Sequence, residues 1–328
     1  MMVIGYIFII DSGGTKDYSY EIEAFKRHGK RVLIGSDKDR EKFLNIAKDA
    51  EIMLFTSTRF DRATLERLPN LKLLARYGIG LDTVDIDAAS ELGVFVSNTP
   101  SYGCFDVAQH AFSLLLTLNQ NIHRFDNNVR SQNWSTKGIP SASRLKGKVL
   151  GLFGFGRISR YIAGMAKGFG MDVIATDPFV KYEEFKELKV KNVDFHSLLE
   201  KSDYLSLNAP LTADTRHVIN RDAFKRMKPN VKLINTSRGE LVDTDALIYA
   251  LEDGLIAGAG LDVFEDEPLK DDSKLVELEN VVLTPHIAWY STEAMEDLKK
   301  EIIGNVISYI ETGVPNNAVN EGDITDHY

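Results

Sequence analysis

Three side chains suited to moving a proton and gripping an anion follow short apolar runs of the chain. Arg238 comes after Asn235-Thr236-Ser237, Glu267 lies in Asp262-Val-Phe-Glu-Asp-Glu-Pro268, and His286 lies in Leu283-Thr-Pro-His-Ile287. An imidazole takes up and returns protons near neutral pH, a carboxylate can orient it, and a guanidinium forks onto a carboxylate. Together they are what the interconversion of an alcohol and a carbonyl next to a carboxylic acid requires, given a carrier for the hydride. Singly, each has a plainer reading. A histidine beside proline is often a turn residue, an arginine after a strand often pairs with a surface acid, and Glu267 sits in an acidic stretch that water alone could satisfy. Asp214, Asp243 and Asp245 read as turn or helix-cap groups.

A carrier site is written further upstream. The apolar run Val149–Phe153 meets Gly154-Phe-Gly156-Arg157-Ile158-Ser159, the strand, glycine turn and helix start of a dinucleotide fingerprint. Gly154 permits the tight turn and Gly156 lets backbone approach a pyrophosphate at the positive end of the helix. Ser159 stands where a third glycine is usual, and is still small enough for close helix packing. Asp177 follows the next apolar run at about the expected 20-residue spacing, where its carboxylate can accept both ribose hydroxyls and repel a 2′-phosphate. No arginine follows it, so NAD is expected rather than NADP.

These groups need a scaffold that brings strand ends together. Short β-branched runs alternate with helical patterns at Val3–Ile10, Arg31–Ile34, Ile52–Phe55, Leu71–Ala75 and Val94–Val96. The rhythm restarts at Lys148–Phe153 and continues through Met171–Ala175, Tyr204–Leu207, Val231–Asn235, Ala257–Val263 and Val281–Thr284. Such a rhythm predicts an α/β protein with two doubly wound parallel sheets, and in such sheets ligands meet the carboxyl ends of strands. Phe105–Leu118 is apolar nearly all round, a helix that crosses between domains or packs on a second subunit. The polar loop Ser131–Ser143 with Trp134 could embrace such a partner, so a homodimer is expected. The helical stretch Thr292–Thr312 should return the chain to the first domain. Residues 1–101 and 290–328 are thus expected to form a discontinuous substrate domain of flavodoxin-like type, and 102–289 a Rossmann domain inserted in it.

Composition bounds the partners. The chain has 328 residues, too many for one core, with 44% hydrophobic and 27% charged residues and a net charge of −9. Without a basic run, nucleic acid is not an expected partner, and an anionic substrate must be caught by a few local arginines. Cys104, the single cysteine, reads as a small buried hydrophobe, so neither a disulfide nor a metal cage is expected and a reducing cytoplasm fits. The apolar start is too short for a membrane span and lacks a basic leader.

The strings NTSRGELVD, GAGLDVFEDEP and TPHIAW, spaced behind GFGRIS, resemble those of the D-isomer-specific 2-hydroxyacid dehydrogenase family; YGIGLDTVDI and LNAPLTADTRHVIN fit as well. The resemblance spans nearly the whole chain. It implies a catalytic trio in which His286 is the acid and base at the substrate oxygen, Glu267 orients it and favours its protonated form, and Arg238 grips the substrate carboxylate. It further implies cofactor contacts from Gly154, Gly156, Arg157, Ile158, Asp177, Pro210, Thr215, Thr236, Ser237 and Asp262, the last at the carboxamide. Backbone amides of Ile79 and Gly80 would hold the other side of the substrate carboxylate. Arg76 and the segment His286-Ile-Ala-Trp-Tyr-Ser291 resemble the branch that contains the C-terminal-binding-protein corepressors. That likeness implies Arg76 as a second carboxylate contact and Trp289 as a pocket wall, against a packing role for Trp289. It also opens an alternative, a dimeric NAD-sensing binding protein. Tyr102–His110 resembles the glycerate and hydroxypyruvate enzymes; a phosphorylated substrate would need basic residues that the sequence does not cluster.

Overall fold

The computed structural model describes residues 5–11 and 17–320, so Val3 and Ile4 of the first expected strand lie outside the described residues. The chain divides into two compact units, one from Met1–Gly103 with Ser291–Tyr328, the other Cys104–Tyr290.

The first unit carries strands β1 (Tyr6–Ile10), β2 (Val32–Gly35), β3 (Ala50–Phe55), β4 (Leu73–Arg76) and β5 (Phe95–Ser97). They pair in parallel in the order β2-β1-β3-β4-β5, the flavodoxin-like arrangement. Both faces are covered, which is why these strands are runs of apolar residues rather than alternations. The helix Thr292–Thr312 turns Leu298, Ile302, Ile303 and Val306 onto Ile7, Ile9, Ile52, Leu54 and Leu73 of one face. Ser291 caps its first turn, accepting from the amide of Ala294.

The second unit carries β6 (Val149–Phe153), β7 (Asp172–Thr176), β8 (Lys191–Asn192), β9 (Tyr204–Leu207), β10 (Lys232–Asn235), β11 (Gly258–Leu261) and β12 (Val281–Leu283). Their parallel order is β12-β11-β10-β9-β6-β7-β8. Six of these strands reproduce the Rossmann order, extended by β12, and the order reverses between β6 and β9. The helix Cys104–Gln120 packs within this unit, against the helix Arg157–Gly168 and strands β10 to β12. Leu114 and Leu118 reach over Gly260 of β11, where an added Cβ would stand 3.0 Å from Leu114 Cβ.

Candidate active site

His286 is placed by a buried carboxylate. The chain leaves β12 at Leu283, and Asp262, one residue past β11, is wholly buried beside it. Its Oδ1 accepts from the Thr284 hydroxyl at 2.6 Å and from the Ile287 amide at 2.9 Å, while Oδ2 accepts from the Ala288 amide at 2.9 Å. The His286 amide donates to the Asp262 carbonyl at 2.8 Å, and His110 Nε2 lies 2.9 Å from Thr284 Oγ1. Held this way, His286 adopts a left-handed backbone with φ 55°, a conformation that costs a non-glycine residue energy. Trp289 donates its indole N–H to the His286 carbonyl at 3.0 Å and sets its ring edge-on to Tyr290.

The imidazole meets its carboxylate directly. His286 Nδ1 is 2.7 Å from Glu267 Oε2, and Glu267 Oε1 accepts the Phe264 amide at 3.0 Å. Burial alone would raise the pKa of Glu267; hydrogen bonds from His286 and the Phe264 amide, with the charges of His286 and Arg238, outweigh it and hold the carboxyl below the usual glutamate range. An ionised Glu267 can only accept, so Nδ1 carries a proton and Nε2 is left to meet a ligand.

Arg238 arrives on a loop folded around Asn235, the buried last residue of β10. Asn235 Nδ2 donates to the Arg238 carbonyl at 2.8 Å and its Oδ1 accepts from the Ser237 amide at 3.1 Å. Ser237 Oγ donates to the Ala209 carbonyl at 2.6 Å, and Arg238 Nη1 to the Ser237 carbonyl at 2.7 Å. Gly239 lies so tightly on Phe264 that a Cβ there would stand 1.9 Å from the Phe264 carbonyl carbon. The structure thus gathers Arg238, Glu267 and His286 at the carboxyl ends of β10, β11 and β12.

The glycine turn lies at the point where the sheet order reverses. Gly154 has φ 87°, and a Cβ on it would come within 2.8 Å of the Ala209 nitrogen, so the turn after β6 abuts the segment after β9. Open space surrounds Gly156, the N-cap of the helix Arg157–Gly168, and no side chain caps that helix. Ser159 is wholly buried and donates its hydroxyl to the Gly154 carbonyl at 2.6 Å, so the residue in the third glycine's place also braces the turn. Asp177, just past β7, accepts from the amides of Phe155 at 2.8 Å and Phe179 at 2.9 Å. Thr236 Oγ1 is buried with no hydrogen-bond partner among the described residues. A helix start with no side-chain cap and open space at Gly156, an acid at the second strand end and an unsatisfied hydroxyl past β10 fit a dinucleotide.

The remaining expected residues are dispersed. Arg157 is exposed and Ile158 half-buried in the first turn of the helix after Gly156. Thr215 Oγ1 donates to the Pro210 carbonyl at 2.7 Å, closing the loop after β9. Arg76, Ile79 and Gly80 belong to the first unit, at the carboxyl end of β4. There Arg76 Nε donates to the Thr56 carbonyl at 2.9 Å, and the Ile79 carbonyl accepts Asn98 Nδ2 at 2.7 Å. Sequence reasoning did not single out Thr284, His110 or Asn235, which hold the trio's loops. The adjacency of Asn235 and Thr284 to strand ends was the available signal.

Residues 112–288 match the family described as D-isomer specific 2-hydroxyacid dehydrogenase, NAD binding domain. A glyoxylate reductase of Thermococcus litoralis is 44% identical over 283 residues, 84% of this chain and 85% of that one. A solved glyoxylate reductase from Paecilomyes thermophila superposes with a TM-score of 0.89 at 30% identity, covering 97% of this chain and 99% of that one. The D-lactate dehydrogenase from Aquifex aeolicus, solved with NAD and lactic acid, gives 0.85 at 34% identity over 93% and 95%. With its NAD-binding sheet, its glycine turn and its matched length, this chain belongs to the D-isomer-specific 2-hydroxyacid dehydrogenase family and is an NAD-dependent dehydrogenase.

Proposed function

We propose that the chain interconverts a small 2-oxo acid and the corresponding D-2-hydroxy acid, with Arg238, Glu267 and His286 as its catalytic residues. The observation that carries this is the 2.7 Å contact between His286 Nδ1 and Glu267 Oε2, with the Arg238 charge acting on the same carboxylate. Hydride exchange with C2 is the chemistry that a bound nicotinamide supplies. In the reducing direction His286 Nε2 gives its proton to the carbonyl oxygen, and Glu267 keeps the ring aimed while its charge changes. Arg238 fixes the substrate carboxylate through two parallel N–H bonds and draws charge from the adjacent carbonyl. Trp289 offers an apolar wall beside His286.

The placement of the clustered lysines favours an unphosphorylated substrate. Lys189, Lys191, Lys201 and Lys228 line a cleft with Val149 and Asp172, at the amino ends of β6 to β8, away from the carboxyl ends that bear the trio. The relatives named glyoxylate reductase and D-lactate dehydrogenase act at the small end of this substrate range. The test is NADH oxidation against glyoxylate, pyruvate, hydroxypyruvate and longer 2-oxo acids. Turnover of the first three is expected, and tight NADH binding without turnover of any would instead favour an NAD-sensing binding protein.

NAD is the cofactor, with Asp177 at the adenosine ribose. Asp177→Ala should narrow the preference for NADH over NADPH by about 10²-fold, since it removes a like-charge clash worth several kcal/mol. The ratio of kcat/KM for the two cofactors measures this, and an unchanged ratio would move the ribose contact elsewhere.

The protein works as a homodimer in a reducing compartment, the cytoplasm. No residue of the helix Ile122–Arg130 is buried, Ile122 and Val129 are each 53% exposed, and the neighbouring Trp134 is 90% exposed. A second copy of the chain would take these side chains out of water. Sedimentation should give a dimer, and Val129→Asp with Trp134→Ala should shift it toward monomer. A parent that sediments as a monomer at micromolar concentration would remove the argument.

A further inference from the structure

A second imidazole–carboxylate pair stands one turn of loop from the first. His217 Nε2 is 2.5 Å from Glu265 Oε1, and Glu265 precedes Glu267 by two residues. The other oxygen of Glu265 accepts the Thr244 amide at 2.8 Å, at the start of the helix Thr244–Glu252. His217 is itself pinned, with a left-handed φ of 50° and its amide donating to the Glu240 carbonyl at 2.8 Å.

These bonds run directly into the catalytic loops. The Glu240 carbonyl and Gly239 follow Arg238, and Gly239 rests on the backbone of Phe264 and Glu265, where a Cβ would lie 1.9 Å from Phe264 C and 2.4 Å from Glu265 N. The preceding amide, that of Phe264, is the one that holds Glu267 Oε1. A continuous path therefore runs from His217 through Glu265 and Phe264 to Glu267 and His286, and a branch of it carries Arg238.

We propose that His217 and Glu265 are positioning residues, a clasp that fixes the 264–267 loop so that Glu267 is aimed at His286 and Arg238 is presented beside it. The proposal rests on the reading of the trio given above. A carboxylate at the end of a flexible loop has no reason to keep one orientation; here the preceding glutamate anchors that loop to two other segments, one hydrogen bond to each. Burial would raise the pKa of Glu265, but its bonds from Thr244 and from His217 lower it below the usual range, so it accepts as a charged group. Neither His217 nor Glu265 touches substrate in this reading.

The test uses the full chain with Glu265→Ala, Glu265→Gln, His217→Ala and the double alanine variant. Glu265→Ala should lower kcat by about 10- to 10²-fold, the upper figure being the cost of a misplacement of about 1 Å, with NADH affinity within about twofold of the parent. Glu265→Gln keeps an acceptor for the Thr244 amide and can turn its own N–H toward a neutral His217 Nε2, and should recover most of the loss. The double variant should be no worse than the poorer single one, because both cut the same clasp. A readout free of turnover is the imidazole resonance of His286 in ligand-free protein, identified by its loss in His286→Gln. It should move in Glu265→Ala in the same direction as in Glu267→Gln. Parent-like resonances in Glu265→Ala overturn the proposal whatever happens to kcat, because Glu265 then stabilises the fold without aiming Glu267. Should Glu265→Ala not fold, His217→Ala and Glu265→Gln carry the same comparison. A parent that reduces no 2-oxo acid would defeat the proposed function, while the resonance comparison would still decide the clasp.

Discussion

Replacing His286 with glutamine should lower kcat by roughly 10² to 10⁴, the contribution of a positioned acid or base, and leave NADH binding near the parent value. Glutamine can still reach Glu267, so the 267 carboxylate keeps a partner and the loop need not collapse. What is lost is the proton on the far side of the ring. Gly154, Gly156 and Asp177, the proposed cofactor contacts, belong to other loops, which is why binding and turnover should separate. Fluorescence titration with NADH and steady-state reduction of glyoxylate or pyruvate measure the two quantities. Parent-like turnover would remove His286 from the proton-transfer role; lost binding would mean that the variant perturbs the sheet end as a whole.

The second large effect concerns a residue expected only at the cofactor. Asp262→Ala removes the acceptor for the Thr284 hydroxyl and the Ile287 and Ala288 amides at a site with no exposed surface. Each unsatisfied buried donor costs about 1 to 3 kcal/mol, so unfolding free energy should fall by about 3 to 5 kcal/mol after partial rescue by water. Turnover should fall with it, because the turn bearing His286 loses its anchor. Asp262→Asn keeps the shape but sets an amide N–H against a donor, and should recover only part of the stability. Urea unfolding at fixed pH checks this. A change under about 1 kcal/mol in Asp262→Ala would mean that the loop holds itself, contrary to the ordinary cost of orphaned buried donors.

The sheets were legible because double-sided burial leaves runs of apolar β-branched residues that water-facing segments do not imitate. Tyr204–Leu207 was located to the residue, and the other expected strands of residues 5–320 all appear with ends displaced by a few positions. Strand β8 escaped notice: its two residues, Lys191 and Asn192, are exposed at a sheet edge and carry no apolar signal. The helix Ile122–Arg130 escaped for a related reason, since none of its residues is buried. Among the site residues, the trio was visible through the order of its motifs, while its supports were not. Asp262 reaches amides 25 and 26 residues later, Asn235 wraps a turn three residues long, and His110 comes from a helix 174 residues before its partner Thr284. Such contacts depend on strand register and helix placement, which no local string encodes.

The left-handed backbone of His286 bears on when the ordering of the reacting groups takes place. Its torsional penalty, and the loss of freedom in the segment around it, are offset during folding by a network made of the chain's own groups, centred on the buried Asp262 carboxylate. Under the proposed function, a substrate arriving there would meet dipoles that need little reorganisation, so more of its interaction energy would remain to lower the barrier than for a loop that tightened on contact.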